Sequence, residues 1–84
     1  MKPEITVLIA DDHPIFRRGL RQIIETDPGI RIVAEADDGE TALALLQETA
    51  PQVAVIDIDM PNCDGFEVMK RLHARRLPVS AIFL

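Results

Sequence analysis

Three aspartates stand where this chain could use them for chemistry. Asp11 and Asp12 follow the apolar run Ile5-Thr6-Val7-Leu8-Ile9-Ala10, and Asp57 falls at the end of a second run, Val53-Ala54-Val55-Ile56. A run this apolar reads as a strand buried on both faces of a parallel sheet, and such sheets bind ligands at the carboxyl ends of their strands. A single aspartate near a strand end is often only a turn former or a cap. Two strands delivering three carboxylates to one edge is a different matter, because the carboxylates repel and call for a cation. Hard oxygen ligands without histidine or cysteine favour Mg²⁺ over zinc, with Mn²⁺ as a substitute.

The elements that must position these residues alternate strand and helix. Ile5 to Ala10 is the first strand, and His13-Pro14 marks a helix start with Asp12 or His13 at the cap. Phe16, Leu20, Ile23 and Ile24 then recur at helical spacing, while Arg17, Arg18 and Arg21 take the other side as a solvated basic face or a docking patch. Asp27-Pro28-Gly29 ends that helix. Ile30 to Ala36 alternates, with Arg31 and Glu35 on one side, as an edge strand does. Asp38 is a candidate cap for a helix through Ala42, Leu45, Leu46 and Thr49 that stops before Pro51. After the central strand, Asn62-Cys63-Asp64-Gly65 is turn chemistry, and Phe66, Met69 and Leu72 space out a third helix to about Arg76. Pro78 to Leu84 begins a fourth strand.

Strands joined by single helices form right-handed crossovers and a parallel sheet. Asp11, Asp12 and Asp57 meet only if strands one and three are neighbours, which gives the order 2-1-3-4 with its switch point between them. The 84 residues make one domain at most, and 48% hydrophobic with 27% charged residues is ordinary globular composition. A net charge of −5 argues against the domain itself binding nucleic acid or an anionic membrane. Cys63 is the one cysteine, which excludes a disulfide framework and reads as a small buried or loop thiol. The N-terminus resembles neither a signal peptide nor a membrane span, so cytoplasmic residence is expected.

Asp11-Asp12-His13-Pro14 and, later, Asp57-Ile58-Asp59-Met60-Pro61-Asn62-Cys63-Asp64-Gly65 together resemble the receiver domain of two-component response regulators. The resemblance extends over the whole chain and implies a flavodoxin-like, doubly wound fold. It implies that Asp57 accepts a phosphoryl group from a sensor histidine kinase. By the same likeness Asp12 coordinates Mg²⁺ directly, Asp11 acts largely through water, and the backbone carbonyl of Asp59 is a further ligand. Such a domain is a phosphorelay switch rather than a turnover enzyme. Asp12-His13-Pro14 with Phe16, Arg17, Gly19 and Leu20 is similar to the subgroup joined to a LuxR-type helix-turn-helix output domain, which would bind DNA and regulate transcription from outside this chain. His13 is expected to do no more than start the helix.

Receivers also carry a hydroxyl residue at the end of strand four and a lysine at the end of strand five, and this chain supplies neither. Ser80 lies inside the fourth strand, on our expectation, and is not that hydroxyl. Residues 1–84 therefore read as an incomplete receiver lacking strand five and the last two helices. Its apolar edge, Val79 to Leu84, is expected to pair with a second copy or swap elements with it. Asp59 is expected at the mouth of the site, where its charge could tune hydrolysis of an acyl phosphate. An alternative from another class is a haloacid-dehalogenase-type phosphohydrolase with Asp57 as nucleophile and Asp59 as acid/base, but Met60-Pro61 departs from that family and Asp11-Asp12 would go unexplained. A flavodoxin-like binding module would need a glycine-rich phosphate loop where Asp11-Asp12 stands.

Overall fold

The computed structural model describes residues 4–61 and 63–84. Among the described residues seven elements alternate: β1 (Ile5–Ala10), α1 (Pro14–Ile24), β2 (Ile30–Ala36), α2 (Gly39–Thr49), β3 (Val53–Ile56), α3 (Gly65–Ala74) and β4 (Ser80–Phe83). The strands form one parallel sheet in the order β2-β1-β3-β4. Doubly wound topology thus follows from the apolar runs and their single-helix crossovers.

The two faces of the sheet are covered unequally. Leu8, Ala10, Ala54 and Ile56 point to one face, where α2 brings Ala42, Leu43 and Leu46 and α3 brings Val68 and Leu72. Leu8, Leu46, Ile56, Val68 and Leu72 are all fully buried there, and each large side chain removed from water contributes about 1.5–3 kcal/mol. The other face holds Val7, Ile9 and Val55 against Leu20 and Ile24 of α1. No residue of α1 is buried. Phe16 and Ile23, whose spacing predicts the core face of α1, are 51% and 70% exposed. Periodicity identifies which side of a helix is apolar; what covers that side depends on tertiary packing. Phe66 is also exposed, on the outside of α3, where its ring meets that of Phe83 with centroids 5.1 Å apart.

Helix starts are set by local chemistry. Asp38 accepts from the Thr41 N–H and Asp64 from the Glu67 N–H, so α2 and α3 both have side-chain caps. Such caps are worth ~1 kcal/mol each. His13 is the cap residue of α1 and makes no cap bond with its side chain. Ala50 takes a left-handed conformation (φ 43°) to end α2 ahead of Pro51. Asn62, part of the expected turn, lies outside the described residues.

One departure from the expected pattern concerns β2. The register runs Val7 to Ile32 and then Leu8 to Ala34, skipping Val33. Partners in a parallel pair share a face, so Ile30 and Ile32 pack on the α1 side with Val7, whereas Ala34 and Ala36 pack on the opposite side with Leu8. Arg31 and Glu35 consequently lie on opposite faces, not the same one. The extra residue breaks the period of two and re-aims every side chain beyond it.

Candidate functional site

Asp57 lies one residue past the end of β3, and its N–H donates to the Ala10 carbonyl at 2.8 Å, continuing the ladder with β1. Asp11 lies one residue past β1, with its N–H on the Ala36 carbonyl of β2 at 3.0 Å. The first bond joins the carboxyl ends of β1 and β3 at the switch point, and the second ties the end of β1 to β2. Ser80 opens β4 opposite Val53, at the other end of the sheet. It is not part of the site, as expected.

Asp11 and Asp12 behave differently although they are adjacent. Asp11 is 2% exposed, and its Oδ1 accepts from the His13 N–H at 2.7 Å, closing a tight turn before α1. Asp12 is half-buried, and its buried Oδ1 makes no well-aligned hydrogen bond among the described residues, its near neighbour being His13 Nδ1. Asp57 Oδ1 accepts from the Asp59 N–H at 3.1 Å, and the Asp59 side chain is exposed. A buried carboxylate oxygen without a donor costs free energy unless a cation or donor meets it.

Ligand atoms of Asp11, Asp12, His13 and Asp57 lie within 4.8 Å of one another. The three expected carboxylates are therefore brought together, and His13 joins them. Its Nδ1 is 3.1 Å from Asp11 Oδ1, 3.0 Å from Asp12 Oδ1 and 3.7 Å from Asp57 Oδ2. The hydrogen bond with Asp11, followed by the charge of Asp12, raises its pKa. His13 starts the helix as expected from sequence, and its imidazole in addition lies among the three carboxylates. Its position depends on the turn made by Asp11 and on a side-chain rotamer, neither of which leaves a mark in residue spacing. An apolar cleft of about 600 Å³ opens beside the cluster, lined by Asp11, His13, Ile15, Phe16, Asp57 and Leu84.

The residues fit a hard divalent cation. Three carboxylates supply oxygen ligands in a small volume, and Asp12 Oδ1 is buried with only the exposed His13 imidazole beside it among the described residues. Cys63 lies elsewhere, buried, with burial as the main cause pushing its thiol pKa up, and it agrees with the inert thiol expected from sequence.

Arg17 and Arg21 also depart from expectation. Arg17 Nη1 donates to the Asp11 carbonyl at 2.6 Å, and its Nε lies 3.3 Å from Glu35 Oε1. Arg21 pairs with the other oxygen of Glu35 and, at 2.6 Å, with Glu25. Neither arginine is a free basic face, because the bulge in β2 has turned Glu35 towards them.

The response regulator receiver domain family matches residues 7–84. The chain is 39% identical over 85 residues to the nitrate/nitrite response regulator protein NarP of Escherichia coli, covering 98% of this chain and 40% of that protein. It is 31% identical over 84 residues to a nitrate/nitrite response regulator homologue of Haemophilus influenzae, covering 100% and 40%. Among solved structures, the signal receiver domain of the response regulator NarL from Mycobacterium tuberculosis superimposes with a TM-score of 0.94 at 34% identity, covering 96% of this chain and 65% of that one. The chain thus spans about two fifths of the curated relatives it matches. A match over residues 7–84 leaves the phosphohydrolase alternative without support. Among the described residues, no helix is long and apolar enough to cross a membrane.

Proposed function

The chain belongs to the response regulator receiver domain family, and on that premise we propose that it takes a phosphoryl group from a sensor histidine kinase onto Asp57. The observation that carries this is the convergence of Asp11, Asp12 and Asp57 at the switch point of the sheet, their ligand atoms within 4.8 Å of one another and of the His13 imidazole. Asp12 and Asp57 would hold Mg²⁺ directly, with Mn²⁺ as a substitute. Asp11, whose Oδ1 is already engaged by the His13 N–H, would act through water. The Asp59 backbone carbonyl would complete the protein's share of ligands. When bound, the cation neutralises charge on the carboxylate and the incoming phosphoryl oxygens, which lowers the barrier to an anion attacking an anion.

This chain's own residues do the rest. One Asp57 carboxylate oxygen attacks phosphorus, an O–P bond forms, and the P–N bond to the kinase histidine breaks with its electron pair left on nitrogen. The Asp59 N–H on Asp57 Oδ1 limits rotation of the nucleophile. The Asp59 carboxylate, which is exposed, would bias the water that hydrolyses the acyl phosphate. The domain switches rather than turning over added substrates, in the cytoplasm. Its output would be a LuxR-type DNA-binding domain elsewhere in the protein, acting on transcription.

The test is phosphorylation of the full-length protein by acetyl phosphate with Mg²⁺. Asp57→Asn keeps the shape and removes the nucleophile, so acid-labile phosphate should disappear; uptake at the normal rate would refute the assignment. Asp12→Ala should weaken Mg²⁺ binding more than Asp11→Ala.

A further inference from the structure

We propose that Arg17 is a positioning residue for the cation site, holding the Asp11-Asp12 peptide by its carbonyl while Glu35 holds Arg17. The inference rests on the reading that Asp11, Asp12 and Asp57 take a divalent cation. Every polar handle of Asp11 except one carboxylate oxygen is accounted for: N–H on Ala36, Oδ1 on the His13 N–H, and carbonyl oxygen on Arg17 Nη1. The first two come from backbone within or beside the turn. The third reaches in from the body of α1, from a half-buried side chain. Rotation of that peptide would swing the Asp12 carboxylate, because Asp12 is attached to the carbonyl Arg17 holds.

Arg17 is itself fixed. Its Nε faces Glu35 Oε1, and Glu35 also takes Arg21, which is paired with Glu25. The bulge at Val33 makes this possible, since Glu35 would otherwise point to the α2 side. A polar chain therefore runs from the metal turn across the edge strand to the C-terminal end of α1.

Charge and position make opposite predictions, which gives a clean test. Arg17 brings a positive charge close to the site, so if it acted only by Coulomb repulsion its removal would tighten cation binding. If it acts by holding the turn, removal loosens binding, and supports outside the ligand set are typically worth about 10-fold or more in metal affinity. Mn²⁺ affinity of the purified protein, measured by electron paramagnetic resonance with Mg²⁺ in competition, reads the sign. Arg17→Met is expected to weaken Mn²⁺ binding about 10-fold, whereas Arg18→Met, the same charge change at an exposed neighbour, leaves it equal or slightly tighter. Glu35→Gln should cause a smaller loss, and the Arg17→Met/Glu35→Gln double variant should be no weaker than Arg17→Met alone. The ¹⁵N shift of the Asp12 amide, which shares its peptide with the Asp11 carbonyl, should move in Arg17→Met and stay in Arg18→Met. Unchanged or tighter Mn²⁺ binding in folded Arg17→Met would overturn the positioning role alone. Should that variant not fold, unchanged affinity in Glu35→Gln would overturn it. Wild-type protein that binds no Mn²⁺, with Asp12→Ala having nothing to lose, would overturn the cation site as well.

Discussion

The two faces of the sheet are built by different physics. On the face of α2 and α3, Leu8, Leu46, Ile56, Val68 and Leu72 are fully buried and both helices have carboxylate caps. On the face of α1 the apolar set is small, no residue of the helix is buried, and His13 gives no side-chain cap. What ties α1 to the sheet beyond Leu20 and Ile24 is charge, through Arg17, Arg21 and Glu35. One face provides a rigid platform for β1 and β3. The other carries the residues that adjust the turn at their ends.

The largest expected effects separate the faces by truncation. Leu46→Ala opens a cavity under α2 and should cost about 2–5 kcal/mol. Ile23→Ala, at a position 70% exposed, should fall within about 0.5 kcal/mol of wild type. Urea unfolding with unchanged slope reads both, and equal losses would mean that α1 is packed as tightly as α2.

Glycine replacements sharpen the contrast because they should differ in sign. A Cβ at Gly39 would lie 1.7 Å from the Cys63 carbonyl oxygen, backbone that no side-chain rotation can clear. Gly39→Ala should therefore cost about 1–3 kcal/mol or more, by pushing α2 away from the loop after β3. Gly19 lies inside α1 with nothing within 4 Å of its would-be Cβ. Gly19→Ala should stabilise by about 0.5–1 kcal/mol, through the lower backbone entropy of the unfolded chain. Thermal unfolding of the two variants side by side is sufficient.

What could be read from sequence also divides along this line. The order 2-1-3-4 and the meeting of Asp11, Asp12 and Asp57 were legible because apolar runs, strand ends and right-handed crossovers leave little choice. Asp38 as a cap was legible from its place before a helical pattern. The position of Glu35 was not, because a single unpaired residue at Val33 inverts the alternation from which faces are read, and nothing in the composition of Ile30 to Ala36 marks the bulge. The burial expected of Phe16 and Ile23 failed for a related reason: spacing gives direction, and cover is tertiary. His13 joined the carboxylates through a turn closed by its own N–H. The platform was therefore more legible than the adjustable face.

The next effect in size is at the caps. Asp38→Ala removes the acceptor for the Thr41 N–H and should cost about 1 kcal/mol, with Asp64→Ala similar through Glu67. Asparagine at either position should recover most of the loss. No such penalty is available at α1, whose cap residue makes no capping bond with its side chain.

The smallest effect is the one that most directly identifies charge as the tie on the α1 face. Arg21 is 46% exposed and pairs with Glu25, 48% exposed, and with Glu35, 26% exposed. Pairs this open are screened by solvent, and each contributes no more than about 0.2–1 kcal/mol. Arg21→Met should thus lower stability by less than about 1 kcal/mol at low salt, and the difference should fade as ionic strength rises towards 1 M, where the screening length is only about 3 Å. Leu46→Ala should show the same deficit at every salt concentration, because burial of apolar surface does not depend on screening of charge. Arg21 and Arg17 also share Glu35, so removing Arg21 leaves the carboxylate wholly to Arg17. The Mn²⁺ affinity of Arg21→Met should then hold or improve while its stability falls slightly. A loss of both together would mean that Arg21 steadies Glu35 for Arg17 instead of competing with it.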